Sequence, residues 1–185
     1  MNAALISIAP SNIQSVLPSD GRPGGGARAG FVRFPHVDAT YRASAKVLIV
    51  EPSGRVLLFA GRDPGRPEER PVWFAVGGGV QPGETPRDAA IREVLEETGQ
   101  AVTDLGPVIL TRRFHWTLGG TVYDQQETYF LVRMPHFELS TTGWSDLERE
   151  AVVGHRWWSV GELRATDETV YPVGLADVLD ERLRS

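Results

Sequence analysis

The stretch that organises this chain is Thr85-Pro-Arg-Asp-Ala-Ala-Ile-Arg-Glu-Val-Leu-Glu-Glu-Thr98-Gly99, with Gly77-Gly78-Gly79 a few residues upstream. It reads as a helix over about 86–98. Thr85 can cap it, Pro86 suits the first helical position, and Asp88 completes a Thr-x-x-Asp capping box. Gly99 is a natural stop. At 100° per residue, Ile91, Val94, Leu95 and Thr98 gather at the spacing expected of a buried face. Glu93 and Glu97 fall one turn apart on the opposite side, with Glu96 beside them and Arg92 one turn from Glu96. A solvated face would show the same pattern. However, like charges at i,i+4 repel, and carboxylates in the last turn face the negative end of the helix dipole. A hard divalent cation relieves both strains, since Mg²⁺ binds through a few carboxylates, waters and substrate phosphates.

Working outward, Ala45–Val50 and Arg55–Ala60 are apolar runs bracketing Glu51-Pro-Ser-Gly54, a hairpin signature. Val72–Val76 reads as a further strand entering the glycines, and 107–118 and 121–134 as two long strands around a Gly119-Gly120 turn. Val152–Ser159 reads as a strand and Gly174–Leu183 as a closing amphipathic helix. Strands and helices alternate with hairpins, so the chain is expected to be α/β (α+β) with a mixed sheet. Residues 1–36 contain the Gly/Pro-rich run 19–30 and read as a flexible leader; the folded domain is expected over 40–185.

Composition limits the function. The 185 residues carry 19 basic and 24 acidic groups, a net charge of -5, and Lys46 is the one lysine. Such a balance lacks the basic excess of a nucleic-acid surface, so no stable nucleic-acid binding is expected. With no cysteine, disulfides, thiolate zinc sites and cysteine nucleophiles are excluded. Apolar runs are far too short to span a membrane, and no signal peptide is evident; a cytoplasmic address is expected. Residues 84–97 hold Glu84, Asp88, Glu93, Glu96 and Glu97 against Arg87 and Arg92, a concentration of acidity that suits a metal site.

The pattern Gly78-x5-Glu84-x7-Arg92-Glu93-Val94-Leu95-Glu96-Glu97-Thr98-Gly99 resembles the Nudix box, and the order of elements over 40–185 resembles the Nudix α/β/α sandwich with a mixed β-sheet. Gln100 stands where the box ends on a bulky apolar residue, and Val76 where many relatives have proline. The resemblance implies hydrolysis of a phosphoanhydride bond in a nucleoside diphosphate linked to X, with Mg²⁺ (or Mn²⁺) as cofactor. It implies Glu93, Glu96, Glu97 and the Gly77 carbonyl as metal ligands, and Arg92 orienting the glutamates with Glu84 as its partner. Gly78, Glu84 and Gly99 are motif positions, and Glu97 is the first candidate for the base that activates water. Such enzymes often use another glutamate from outside the box. Glu127, on a strand, and Glu148 and Glu150, read as lying in a loop, are the candidates, with Glu127 and Glu150 preferred as the additional base or ligand.

Outside the box, Arg62, Arg66 and Arg70 lie in a loop that could overhang the site, and Arg62 and Arg70 are candidate phosphate contacts. Arg112 and Arg113 split strand faces, and Arg113, on the face of His115, is the third candidate. One of the adjacent Trp157 and Trp158 is expected in the core, as is Trp73. His36, His136 and His155 show no ligand spacing. Substrate markers downstream of the box are missing, so nucleoside triphosphates, damaged ones included, and nucleotide sugars all remain open. A Nudix-fold nucleotide sensor or interaction module without hydrolysis is the alternative. An isopentenyl diphosphate isomerase is a poorer match because that chemistry employs cysteine. Relatives are often dimers, which leaves a homodimer open.

Overall fold

A computed structural model describes residues 39–118 and 121–184. The 1–36 leader and the Gly119-Gly120 turn lie outside the described residues. Six strands and four helices follow in order: β1 (Thr40–Val50), β2 (Val56–Gly61), β3 (Val72–Ala75), α1 (Pro86–Thr98), β4 (Val108–Leu118), β5 (Thr121–Arg133), α2 (Asp146–Ala151), β6 (Val152–Trp158), α3 (Val160–Ala165) and α4 (Leu175–Arg184). The sheet is mixed, as expected. β1 lies parallel to β5 in register from Thr40↔Tyr123 to Val50↔Arg133, and every other strand pair is antiparallel.

The sheet separates two apolar layers. On one side Ala45, Val47, Ile49, Phe59, Phe74 and Phe130 pack against Ala89, Ala90 and Val94 of α1. On the other, Leu48, Val50, Leu58 and Tyr129 pack against Trp158 and against Leu175 and Leu179 of α4, with Leu163 of α3 alongside. Alternate residues of β1 thus serve opposite cores, which explains why it reads as an unbroken apolar run. Burying each Val or Leu contributes about 1.5–3 kcal/mol, so the two layers clamp α1 and α4 to opposite faces. The result is the expected α/β/α sandwich. No helix among the described residues is long and apolar enough to cross a membrane.

Two short helices, α2 and α3, arise where the sequence reading had only a loop or nothing. Each opens on a Ser-x-x-Glu capping box: Ser145 with Glu148, and Ser159 with Glu162. The buried face of α1 is also turned from the one expected. Glu93, Val94, Glu97 and Thr98 are buried, while Leu95 is 51% exposed. Periodicity assigns the apolar side inward, but here two glutamates share the buried side with Val94. Trp158 is the core member of its pair, and Trp73 sits half-buried edge-on to it at 5.0 Å between ring centroids.

Candidate active site

The glycine turn after β3 runs back along β1. Val47 N–H donates to Val76 O at 2.8 Å, Ala45 N–H to Gly78 O at 3.0 Å, and Val80 N–H to Ala43 O at 3.0 Å. Gly77 sits inside this ladder with φ +125°, where an added Cβ would lie 2.2 Å from Ala45 O. At Gly78 an added Cβ would lie 2.5 Å from Glu93 Oε1. Backbone and helix therefore approach closely only because both residues are glycine. The Gly77 N–H donates to Glu97 Oε2 at 2.7 Å, while its carbonyl accepts from Lys46 Nζ.

Arg92 holds the turn to the helix. Its guanidinium grips Glu84 through Nε–Oε1 at 2.7 Å and Nη2–Oε2 at 3.1 Å. The same group donates to Gly79 O at 3.0 Å, to Glu93 Oε1 at 2.7 Å and to Glu96 Oε2 at 2.9 Å. A planar fork is needed for so many simultaneous bonds. The Arg92 bond holds the Glu84 carboxyl below the usual range, and Arg92 itself is pushed up chiefly by Glu84. Arg92 thus pairs with Glu84 and also touches two of the box glutamates, Glu93 and Glu96.

Glu93, Glu97 and Glu148 converge. Each offers a carboxylate oxygen, all within 4.8 Å of one another, and all three residues are buried. Burial raises the Glu93 carboxyl, opposed by Arg92. Glu97 is pushed up to about 8, first by burial and then by the charge of Glu93, against the pull of Lys46 and the Gly77 N–H. Three carboxylates gathered in one buried group offer the hard oxygen ligands that a hard divalent cation takes. Glu96 stays outside the group: its side chain is 48% exposed and turned to Arg92.

Glu148 reaches the group because the segment before it is tied to the C-terminal end of α1. Trp144 Nε1 donates to Glu97 O at 2.7 Å, Ser140 N–H donates to Thr98 O at 3.1 Å, and Gly99 closes the helix at φ 74°. These bonds satisfy carbonyls that a helix end leaves open. Ser145 then caps α2, its N–H and Oγ both bonding Glu148 Oε2 at 2.6 Å. The other two outside candidates lie elsewhere. Glu150 is exposed. Glu127 is buried in a separate group, accepting from Arg112 Nε and Tyr129 Oη at 2.7 Å each. The Ser145-x-x-Glu148 spacing marks a capping box, but nothing in it says that Glu148 meets Glu93 and Glu97.

A cleft next to this site is lined by Lys46, Phe74, Arg112, Gln125, Glu127, Tyr129 and Tyr171, among others. Arg113 is not among them. It pairs with Asp124, Nε–Oδ1 at 2.8 Å, on the exposed face of β4. Arg62 donates to Pro67 O at 2.9 Å, and the highly exposed Arg70 faces Asp167 at 3.8 Å. Neither lines the cleft. Sequence reasoning passed over Lys46, Gln125 and Tyr129, because nothing in a strand's sequence marks which face adjoins the site.

The sequence model of the NUDIX domain matches residues 40–177, well over half of the chain. The chain belongs to the Nudix family. An RNA pyrophosphohydrolase of Sulfurovum sp. is 44% identical over 75 residues, covering 37% of this chain and 48% of that protein. An RNA pyrophosphohydrolase of Rickettsia africae is 31% identical over 109 residues, covering 53% of this chain and 63% of that protein. The matches thus span about half to just under two thirds of these curated relatives. The crystal structure of a MutT protein from Methanosarcina mazei Go1 superposes with a TM-score of 0.57 at 21% identity, covering 80% of this chain and 96% of that one. At that identity the likeness bears on the Nudix fold alone.

Proposed function

We propose that this Nudix protein hydrolyses a phosphoanhydride bond in a nucleoside diphosphate linked to another group, by attack of water on phosphorus. The observation that carries this reading is the buried convergence of Glu93, Glu97 and Glu148 beside the cleft. These three carboxylates, with the Gly77 carbonyl, would hold the Mg²⁺ or Mn²⁺ on which Nudix hydrolases generally depend. A bound cation supplies charge neutralisation at the phosphates and a low-pKa water.

The chain's own residues supply the rest. Arg92 fixes Glu93 and Glu96 relative to the glycine turn through its bonds to Glu84 and Gly79. Glu97 is our first candidate to accept the proton of the attacking water, as its affinity for a proton is raised. In the reaction the water oxygen bonds to phosphorus, the bridging P–O bond breaks, and the leaving phosphate departs with that oxygen.

The test is product release from a panel of nucleoside triphosphates, oxidised nucleotides, nucleotide sugars and a 5′-triphosphorylated RNA, with Mg²⁺ or Mn²⁺ and product identification by mass. The RNA belongs in that panel because relatives of this chain are RNA pyrophosphohydrolases. Metal-dependent release of a phosphate or nucleotide product is expected. Tight nucleotide binding without hydrolysis of any compound would instead favour the sensor alternative.

A further inference from the structure

Lys46 is the one lysine of the chain, it is 1% exposed, and its ammonium is spent on a backbone carbonyl. Burying an ammonium is costly unless nearby charge repays it. The compensating groups are Glu127 on the cleft side and Glu97 and Glu93 on the α1 side, with Arg42 as an opposing cation and the Phe74 ring 5.8 Å from Nζ. The lysine thus stands between the carboxylate group and the cleft. It meets the former through a single residue, Gly77, whose N–H serves Glu97 and whose oxygen serves Lys46.

That oxygen is the atom that the proposed metal site would also use, and the inference rests on that reading. One carbonyl cannot face a divalent cation and an ammonium together without bringing two like charges into contact. Arg92 cannot take over for Lys46, because Glu84, Glu93, Glu96 and Gly79 already engage it. Lysine has a flexible four-carbon stem, and the Lys46 side chain already borders the cleft. We infer that Lys46 competes with the divalent cation for the Gly77 carbonyl and, once displaced, turns into the cleft to bind a phosphoryl oxygen of the substrate. Metal loading would thereby prepare the cleft for an anion, and the buried ammonium would keep the carboxylates from repelling one another beforehand.

The experiment is Mn²⁺ titration of the full chain without substrate, reading free Mn²⁺ by electron paramagnetic resonance, for wild type, Lys46→Met and Lys46→Gln. Both variants are expected to bind Mn²⁺ more tightly, by about tenfold or more. With Mn²⁺ saturating, both are expected to bind methylenediphosphonate about tenfold more weakly. A structural lysine would lower stability without tightening metal binding. Unchanged or weaker Mn²⁺ affinity in the variants overturns the inference and leaves the hydrolase reading standing; unchanged diphosphonate affinity overturns the turn into the cleft. A wild type that binds no Mn²⁺ removes the hydrolase reading, and the inference with it. A measurement on the wild type needs no variant to fold: selective ¹⁵N-lysine labelling gives one side-chain signal, and Mg²⁺ should shift it in step with metal binding. A signal unmoved at saturating Mg²⁺ overturns the proposal.

Discussion

Glu97 and Gly77, twenty residues apart, are joined by a 2.7 Å hydrogen bond from the glycine N–H to the carboxylate Oε2. The bond is possible because Gly77 adopts φ +125°, with Ala45 O where a Cβ would be. Gly77→Ala is therefore expected to cost about 3 kcal/mol or more, from a forbidden backbone and a backbone clash together. Gly78→Ala is a different case, since its Cβ would meet the Glu93 carboxylate rather than backbone. It should fold, yet bind Mn²⁺ about tenfold more weakly, because Glu93 is also pinned by Arg92 and cannot yield freely. Thermal melts and Mn²⁺ titration of the two variants separate the effects; equal metal affinity in Gly78→Ala and wild type would contradict this account.

Substituting the three outside glutamates in turn distinguishes their roles. Glu148→Gln should reduce turnover by about 100-fold or more and weaken Mn²⁺ binding, because its carboxylate lies with Glu93 and Glu97. Glu150→Gln should stay within about twofold of wild type, as befits an exposed position away from that group. Glu127→Gln should act on substrate affinity and stability rather than metal binding, since its partners are Arg112 and Tyr129. Metal binding that survives Glu148→Gln but fails in Glu150→Gln would reverse the assignment.

Arg92→Lys tests whether charge or shape matters at the centre of the box. Lysine keeps the charge but cannot bond Glu84 in two places while also reaching Glu93, Glu96 and Gly79. A loss of about 1–3 kcal/mol in stability is expected, with turnover falling further than substrate affinity. A Lys variant with wild-type turnover would show that the fork is dispensable.

How much of this was legible in the sequence follows from what each signal depends on. Thr85, Pro86, Asp88 and Gly99 act on their own helix, so local reading placed α1 over its observed span. The spacing of Glu84, Arg92, Glu93, Glu96 and Glu97 exposed the box for the same reason. Periodicity erred over Leu95, because the reading assumed that buried means apolar, whereas a metal site buries carboxylates. Glu148 and Lys46 were harder. Glu148 gains its place through Trp144 and Ser140 gripping the end of α1. Lys46 gains its place because the glycine turn runs along β1. Both are contacts between segments distant in sequence, and spacing along the chain carries no trace of them.

Ser145→Ala offers a test at a distance from the chemistry. Loss of a capping hydroxyl costs about 1 kcal/mol, and here the hydroxyl also holds Glu148 Oε2 at 2.6 Å. Metal affinity should therefore fall several-fold although Ser145 itself is not one of the converging carboxylates. Ser159→Ala is the control, since its partner Glu162 belongs to α3 and pairs with Arg156. A similar stability loss without any change in Mn²⁺ binding is expected there. Equal effects of the two variants on metal affinity would mean that the capping box of α2 does not position Glu148.

Glu97 is raised to about 8 in the folded chain, from an ordinary value near 4.5. Between those values the folded protein holds a proton that the unfolded chain has released, so stability falls as pH rises from about 5 to 8. Glu97→Gln removes the titrating group and with it this slope. Without metal, wild type should lose at least about 5 °C in Tm relative to Glu97→Gln across that interval. Mg²⁺ should recover the loss in wild type, because a ligand bound only by the folded state stabilises it. The same ion should do much less for the variant, whose amide is a poorer ligand, and whose turnover should be down by about 10²–10⁴-fold. Parallel Tm profiles for the two proteins without metal would show that Glu97 is already ionised at neutral pH.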